Sequence, residues 1–167
     1  MAGRPTGYRG QGFSLRGEKG RYVLPPAFRK VFADNGDDRV LCIAKHEKYP
    51  CLIAFGLSRS DTFEDMLDKE EDSAIRRGVE YDRDLRSMQL WGFSEIPFDT
   101  SGRFILPDHL AELGGLADGI YFQGGGQFLA LWDPERLYAM GDGLEGAKAT
   151  CRTMAADAAA KARGKRK

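Results

Sequence analysis

The sequence GRYVLP at residues 20–25 returns 82 positions later as GRFILP at residues 102–107. Four of the six positions are identical, and the other two exchange one aromatic residue for another and one β-branched residue for another. The same order of segments follows each copy: a short helical stretch, a turn, an apolar run, a second turn and a second apolar run. The chain therefore contains a duplicated unit, which constrains its fold.

In each repeat we predict a short strand that ends at the proline of the motif, a short helix and then a β-hairpin. The segment between the repeats carries two apolar stripes at helical spacing, separated at Gly78, and predicts two helices. Residues 1–12 are rich in Gly and Arg, and we expect them to form a flexible arm. The tail from Lys148 is rich in alanine, and we expect it to be helical with a disordered end at residues 161–167. The predicted elements of the repeats are strands at residues 22–24, 39–45, 51–55, 120–123 and 128–132, and helices at residues 26–32 and 108–113.

Each repeat has about 45 residues, close to the size below which an isolated core is marginal. We therefore expect the two repeats to bury their apolar faces against each other. The expected division is a first repeat at residues 11–57, a helical linker at 58–91, a second repeat at 92–138 and a tail at 139–167.

The 25 basic and 25 acidic residues cancel, but the charge is distributed unevenly along the chain. Residues 1–30 hold seven Lys and Arg against one acid, and residues 145–167 hold seven against two. We therefore expect basic ends on an acidic body. The basic end at 161–167 either attracts phosphate non-specifically or only keeps the chain soluble.

Three cysteines without a CxxC pair favour a reducing compartment. The first residues contain no apolar stretch typical of a signal peptide, and no apolar segment is long enough to cross a membrane. We expect a cytoplasmic protein without a membrane partner.

The sequence offers no set of residues that indicates an enzyme. The two histidines, His46 and His109, lie at non-equivalent places in the repeats, and neither belongs to a Cys/His metal-binding pattern. No Gly-x-Ser-x-Gly motif is present, and the glycine run at residues 124–126 lacks the helix and Lys-Ser/Thr of a phosphate-binding loop. We expect no catalysis, no metal and no cofactor.

Each Gly-Arg pair lies in a polar turn just before a strand, so we expect Arg21 and Arg103 to project from rigid positions. Under pseudo-symmetry the two guanidinium groups would form one basic face, suited to phosphate or to the edge of guanine. Alternatively, each arginine pairs with an acidic neighbour of its own repeat. The residues alone favour neither interpretation.

Seven blocks of the sequence carry a resemblance to a known family: residues 19–21 (KGR), 24–25 (LP), 50–52 (PCL), 90–95 (LWGFSE), 99–107 (DTSGRFILP), 124–128 (GGGQF) and 131–133 (LWD). With these blocks the repeats resemble SpoVT-AbrB domains, and their tandem arrangement resembles the MraZ family of bacterial transcriptional regulators. The resemblance covers roughly residues 13–138. The family's acid three residues before the motif glycine is Asp99 in the second repeat, whereas Gly17 stands there in the first, with Glu18 beside it.

The resemblance implies a mainly β fold with short helices, of the α+β class, in which swapped hairpins of the two repeats form one pseudo-symmetric barrel. It implies binding of double-stranded DNA through Lys19, Arg21 and Arg103, with Arg16 and Arg29 as weaker candidates.

The resemblance also implies a homo-oligomer, in the form of a ring, that binds repeated boxes in its own promoter region on the nucleoid. Such a protein would be a repressor of its own division and cell-wall operon. The alternative is an interaction module of the antitoxin type with the same superfold, which would hold a protein partner through its acidic linker or tail.

Overall fold

The computed structural model describes residues 6–165, which form eight strands and six α-helices. Two short 3₁₀ segments, Glu18–Gly20 and Leu57–Thr62, lie between them. The strands are β1 Gln11–Leu15, β2 Arg21–Val23, β3 Val40–Lys45, β4 Leu52–Phe55, β5 Ser94–Pro97, β6 Arg103–Ile105, β7 Gly119–Gly124 and β8 Leu129–Trp132. The helices are α1 Pro26–Asp34, α2 Phe63–Arg77, α3 Arg83–Trp91, α4 Asp108–Gly114, α5 Pro134–Tyr138 and α6 Glu145–Lys165.

Six strands form one antiparallel sheet in the order β1-β7-β8-β4-β3-β5, and this order mixes the two repeats. β1 of the first repeat pairs with β7 of the second, and β5 of the second repeat pairs with β3 of the first. The two hairpins meet at the middle of the sheet, where Ile53 of β4 lies opposite Ala130 of β8. Each repeat therefore completes the sheet of the other.

The remaining strands, β2 and β6, form a separate two-stranded ribbon. Tyr22 of β2 lies opposite Phe104 of β6, which is its counterpart in the duplicated motif. The ribbon therefore has the same pseudo-twofold relation between the repeats as the sheet.

One large hydrophobic core draws on the sheet, the ribbon and the short helices. α1 contributes Phe28, Val31 and Phe32, because their i, i+3, i+4 spacing places them on one side of the helix. The ribbon contributes Tyr22 and Phe104, which are 3% and 2% exposed and whose ring centroids lie 5.9 Å apart. This close packing holds the ribbon rigidly against the body of the protein.

The α+β class is confirmed. The expected mainly β fold underestimates the helical part, since helices take up 47% and strands 23% of the structure. The closed barrel is not confirmed. Within residues 6–165, β1 and β5 are the outer strands of an open sheet, and the ribbon forms no ladder with either of them.

Both ends of the described chain contradict the prediction of disorder. Tyr8 is only 4% exposed and exchanges two backbone hydrogen bonds with Gly126, and β1 begins at Gln11. α6 continues to Lys165. The composition misled here because pairing with the second repeat, not local hydrophobicity, orders the first segment. The predictions for residues 1–5 and 166–167 lie outside the described residues.

The linker forms two helices, and the predicted break at Gly78 is confirmed, since this glycine ends α2 with a left-handed φ of 66°. Ion pairs of Arg83 and Arg86 connect α3 to α2 and to the turn between β3 and β4. Their partners are acidic side chains: Glu64, Asp68 and Glu71 for Arg83, and Glu47 and Glu70 for Arg86.

Within residues 6–165, no helix has the length and apolar character that a membrane crossing requires.

Candidate nucleic-acid interface

The ribbon carries the duplicated motif and has two chemically different sides. Because side chains alternate along a strand, the buried Tyr22 and Phe104 leave the residues on either side of them facing outward. We call this the outward face of the ribbon, and its four residues are Arg21, Val23, Arg103 and Ile105.

The two motif arginines share this outward face. Arg21 lies opposite Ile105 and Val23 lies opposite Arg103, so the arginines stand at diagonal positions of the antiparallel pair. Diagonal positions are about 7–8 Å apart. Arg103 is exposed and Arg21 is half-buried. This is the geometry that a single basic face requires.

Turn 2, residues 99–103, is organised by a carboxylate. Asp99 Oδ1 accepts hydrogen bonds from the backbone N–H groups of Ser101 and Arg103, each at 2.9 Å, and Oδ2 accepts one from Arg103 Nε at 2.8 Å. The backbone hydrogen bond from Arg103 is the main reason why the pKa of Asp99 is lowered. Gly102 takes a left-handed φ of 84°, and a Cβ there would lie 2.6 Å from the carbonyl oxygen of Leu24. Only glycine fits this position without displacing backbone.

Turn 1, residues 17–21, shares two backbone hydrogen bonds with turn 2. Gly17 N–H donates to the carbonyl of Arg21 at 2.7 Å and Gly20 N–H donates to that of Gly17 at 3.1 Å; the equivalent bonds in turn 2 are 3.0 and 2.9 Å. Turn 1 has no carboxylate at its first position. Arg21 Nε donates instead to the backbone carbonyl of Glu18 at 3.4 Å, so the carboxylate of Glu18 does not take over the role of Asp99.

Three of the predicted contact residues gather around turn 1. The guanidinium of Arg16 lies beside Gly20, where an added Cβ would be 2.9 Å from Arg16 Nη2. Lys19, at the tip, is exposed and takes an unusual left-handed φ of 59°. Within residues 6–165, neither these two cations nor Arg21 forms an ion pair with an acidic side chain.

Arg29, the fifth predicted contact, belongs spatially to the other turn. It projects from α1 of the first repeat, and its Nη1 donates to the carbonyl of Thr100 in turn 2 at 3.1 Å. Its side chain also lies against Gly102, where an added Cβ would be 2.9 Å from Arg29 Cδ. The interleaving of the repeats brings α1 to turn 2, so Arg29 supports the turn that presents Arg103.

The alternative, that each motif arginine pairs with an acidic neighbour of its own repeat, holds for Arg103 and not for Arg21. Arg103 pairs with Asp99, but both side chains are well exposed, at 45% and 40%. Ion pairs between exposed side chains contribute little to stability, because solvent screens them. Arg103 can therefore exchange Asp99 for a stronger anion at little cost, and Arg21 has no acidic partner to release.

Sequence inspection overlooked the apolar part of the outward face. Val23 is 39% exposed and Ile105 is 59% exposed, and they occupy equivalent positions in the duplicated motif. The alternation Arg-Tyr-Val and Arg-Phe-Ile would have predicted their exposure, because a buried aromatic residue in a strand places the next residue on the outward face.

Known proteins that are similar to this chain in sequence carry the name of a transcriptional regulator. The protein of Parvibaculum lavamentivorans named Transcriptional regulator MraZ is 31% identical over 127 residues, which cover 76% of this chain and 76% of that protein. Proteins of the same name from Xanthobacter autotrophicus and Caulobacter vibrioides are 33% and 30% identical over 124 and 121 residues, in each case 72% of this chain and 73% of the relative. No protein-family model matches the chain. With this identity over about three quarters of both sequences, the chain belongs to the MraZ family of transcriptional regulators.

Proposed function

We propose that this regulator binds double-stranded DNA of its own promoter region through the outward face of the ribbon, and that it thereby represses its division and cell-wall operon. The observation that carries the proposal is the position of Arg21 and Arg103 on one exposed face of a rigid ribbon. We place its action on the nucleoid, in the cytoplasm.

In this proposal the ribbon enters the major groove, which is about 12 Å wide and admits a two-stranded β-ribbon. Arg21 and Arg103 contact guanine edges or phosphates in two-point fashion. Arg16 and Lys19, at the rim of turn 1, contact the phosphate backbone. Arg29 acts mainly by positioning turn 2, since its guanidinium is already engaged by Thr100.

We further propose that the two repeats, residues 11–57 and 92–138, form the DNA-binding unit and that the linker, residues 58–91, mediates assembly into a homo-oligomeric ring. One subunit offers few cations, but subunits that meet successive boxes gain from high effective concentration. Large exposed apolar side chains often mark an interaction surface. The linker exposes five of them: Ile75, Val79, Leu85, Met88 and Trp91.

The test is alanine substitution of each motif arginine, followed by measurement of the dissociation constant for the upstream region of the gene. Loss of a two-point arginine contact costs about 1–3 kcal/mol, which is roughly a five- to 150-fold loss of affinity. We expect Arg21→Ala to cost more than Arg103→Ala, because Arg103 must first leave Asp99. Each loss of a phosphate contact should also lower the slope of log affinity against log salt by about 0.9.

Arg152→Ala is the matched control, because Arg152 is exposed on α6, outside the ribbon, both repeats and the linker, and this variant should bind DNA with wild-type affinity. Melting temperatures of all variants should agree closely. Unchanged binding in both motif variants would refute the site. Stoichiometric recovery of a protein partner with no enrichment of DNA would instead favour the interaction module.

A further inference from the structure

The apolar residues of the outward face have no role in the electrostatic contacts described above. In the ribbon each arginine lies opposite an aliphatic side chain: Arg21 lies opposite Ile105, and Arg103 lies opposite Val23. Two β-branched side chains, 39% and 59% exposed, therefore lie between two guanidinium groups on a ribbon of only three residues per strand.

The arginines limit what can cover these aliphatic side chains. Arg16 and Lys19 add positive charge to that of Arg21 and Arg103. Three carboxylates lie near these cations, Asp99 bonded to Arg103, Glu18 in turn 1 and Asp118 beside Arg16, and within residues 6–165 only Asp99 forms an ion pair with one of them. This charge suits a polyanion whose surface also presents apolar groups. The floor of the major groove provides such groups in the C5-methyl of thymine.

We propose that Val23 and Ile105 are specificity-determining residues that contact thymine methyl groups in the major groove. The inference rests on the proposed function, because it assigns a base preference to the same face. The two residues occupy equivalent positions in the repeats, so they would read two thymines related by the pseudo-twofold of the ribbon. The arginines would supply affinity and guanine contacts, and the aliphatic pair would select thymine beside them.

The test uses the upstream region of the gene prepared in two forms, one with thymine and one with deoxyuridine at every thymine position. Deoxyuridine keeps the hydrogen-bonding edge and lacks only the methyl group. Burial of one methyl-sized group is worth about 0.8 kcal/mol, which corresponds to roughly a fourfold change in the dissociation constant. We expect the wild type to bind the uracil duplex about fourfold more weakly for each methyl contacted.

The double variant Val23→Ser, Ile105→Ser should bind the two duplexes equally, because it has lost the groups that sense the methyl. Arg21→Ala should weaken binding to both duplexes and keep the wild-type ratio between them. Leu113→Ser is the matched control, since Leu113 is an aliphatic residue on α4 with 48% exposure and should leave both affinities unchanged.

Two outcomes overturn the inference while the regulator proposal stands. One is equal binding of the two duplexes by the wild type. The other is a double variant that keeps the preference for thymine but has a smaller mass by light scattering, which would place this face between copies of the chain. Failure of the wild type to bind either duplex would instead overturn the proposed function and the inference together. Equal binding by the wild type needs no variant, so the inference can be refuted even if the double variant does not fold.

Discussion

Asp99 and Gly17 occupy the same position in the two turns and make them chemically different. Asp99 accepts hydrogen bonds from two backbone N–H groups and from Arg103 Nε. In turn 1 the backbone N–H and the Nε of Arg21 donate instead to the backbone carbonyl of Glu18, and Lys19 takes a left-handed conformation. The molecule therefore has one turn that is preorganised by a carboxylate and one that keeps its cations free of acidic partners.

Gly17→Asp should give turn 1 a carboxylate at the position that Asp99 occupies in turn 2. Gly17 has φ −98°, which any residue adopts, and a Cβ there would meet only the carbonyl oxygen of Arg21, at 3.5 Å. The backbone N–H of Arg21 already donates to the carbonyl of Glu18, so the new hydrogen bond would come from the backbone N–H of Lys19. This bond and the lower entropy of the unfolded chain should together raise the free energy of unfolding by about 1 kcal/mol. Urea unfolding measures this change, and DNA affinity should fall because the new carboxylate competes for Arg21.

Gly17→Asn separates the two effects, since its amide oxygen accepts the same backbone hydrogen bond without a charge. It should share the gain in stability and retain wild-type affinity for DNA. Destabilisation by both substitutions would show that turn 1 cannot adopt the geometry of turn 2.

The carboxylate of Asp99 also predicts a pH dependence of stability. Its pKa is lowered in the folded protein, first by the backbone N–H of Arg103. The stability it provides is therefore fully present above the unfolded pKa of about 3.9 and is lost as the pH falls through the lower folded pKa. We expect Asp99→Ala to lower the melting temperature at pH 7, and the difference from wild type to shrink below about pH 4.

Asp157→Ala removes an exposed carboxylate near the end of α6 that accepts no hydrogen bond within residues 6–165. It should leave the melting temperature unchanged at every pH. A difference for Asp99→Ala that stays constant down to pH 2.5 would contradict the assigned role.

Among the secondary-structure elements, the first described segment of the chain is held more firmly than its composition suggests. Tyr8 bonds to Gly126 through its backbone, and its hydroxyl accepts a hydrogen bond from the buried N–H of Gly56 at 2.8 Å. One residue thus connects the segment before β1 to both hairpins. Burial is also the main reason why the pKa of this tyrosine is raised.

Tyr8→Phe should destabilise the protein by about 1–3 kcal/mol, because the N–H of Gly56 would stay buried without an acceptor. Chemical unfolding followed by circular dichroism measures the change. Tyr49→Phe is the comparison, since Tyr49 is 36% exposed and its hydroxyl makes no hydrogen bond within the described residues. Equal stability of the two variants would refute the anchoring role of the hydroxyl.

At the scale of the whole molecule, the two surfaces to which we assign functions lie on different elements. The candidate DNA contacts lie on the ribbon and its turns, whereas the exposed apolar side chains of the linker lie on and beside α2 and α3. This separation would let one surface bind DNA while the other binds a neighbouring subunit, as we propose.

The double variant Leu85→Glu, Met88→Glu should break the proposed assembly, because burial of two new carboxylates in a subunit contact is costly. Light scattering should show an oligomer for the wild type and a monomer for the variant. The variant should still bind a single box and lose most of the gain from several boxes. Leu113→Glu, on α4, is the control and should keep the oligomer mass of the wild type. A wild type that is itself monomeric at micromolar concentration would refute the ring.

Local patterns were enough to predict the duplicated unit, the two hairpins, the break at Gly78 and the two Gly-Arg turns. These features depend on residues within a few positions of one another, where periodicity, proline and glycine act directly on the backbone. The α+β class and the five candidate DNA contacts came from the family resemblance, since the residues alone left the role of the arginines open.

Tertiary structure alone decided which strands meet and where the candidate residues stand. β1 pairs with β7 about a hundred positions away, α1 carries Arg29 to the turn of the other repeat, and Arg21 and Arg103 come to share one face. Nothing in the local periodicity encodes such pairings, because they follow from burying two marginal cores against each other.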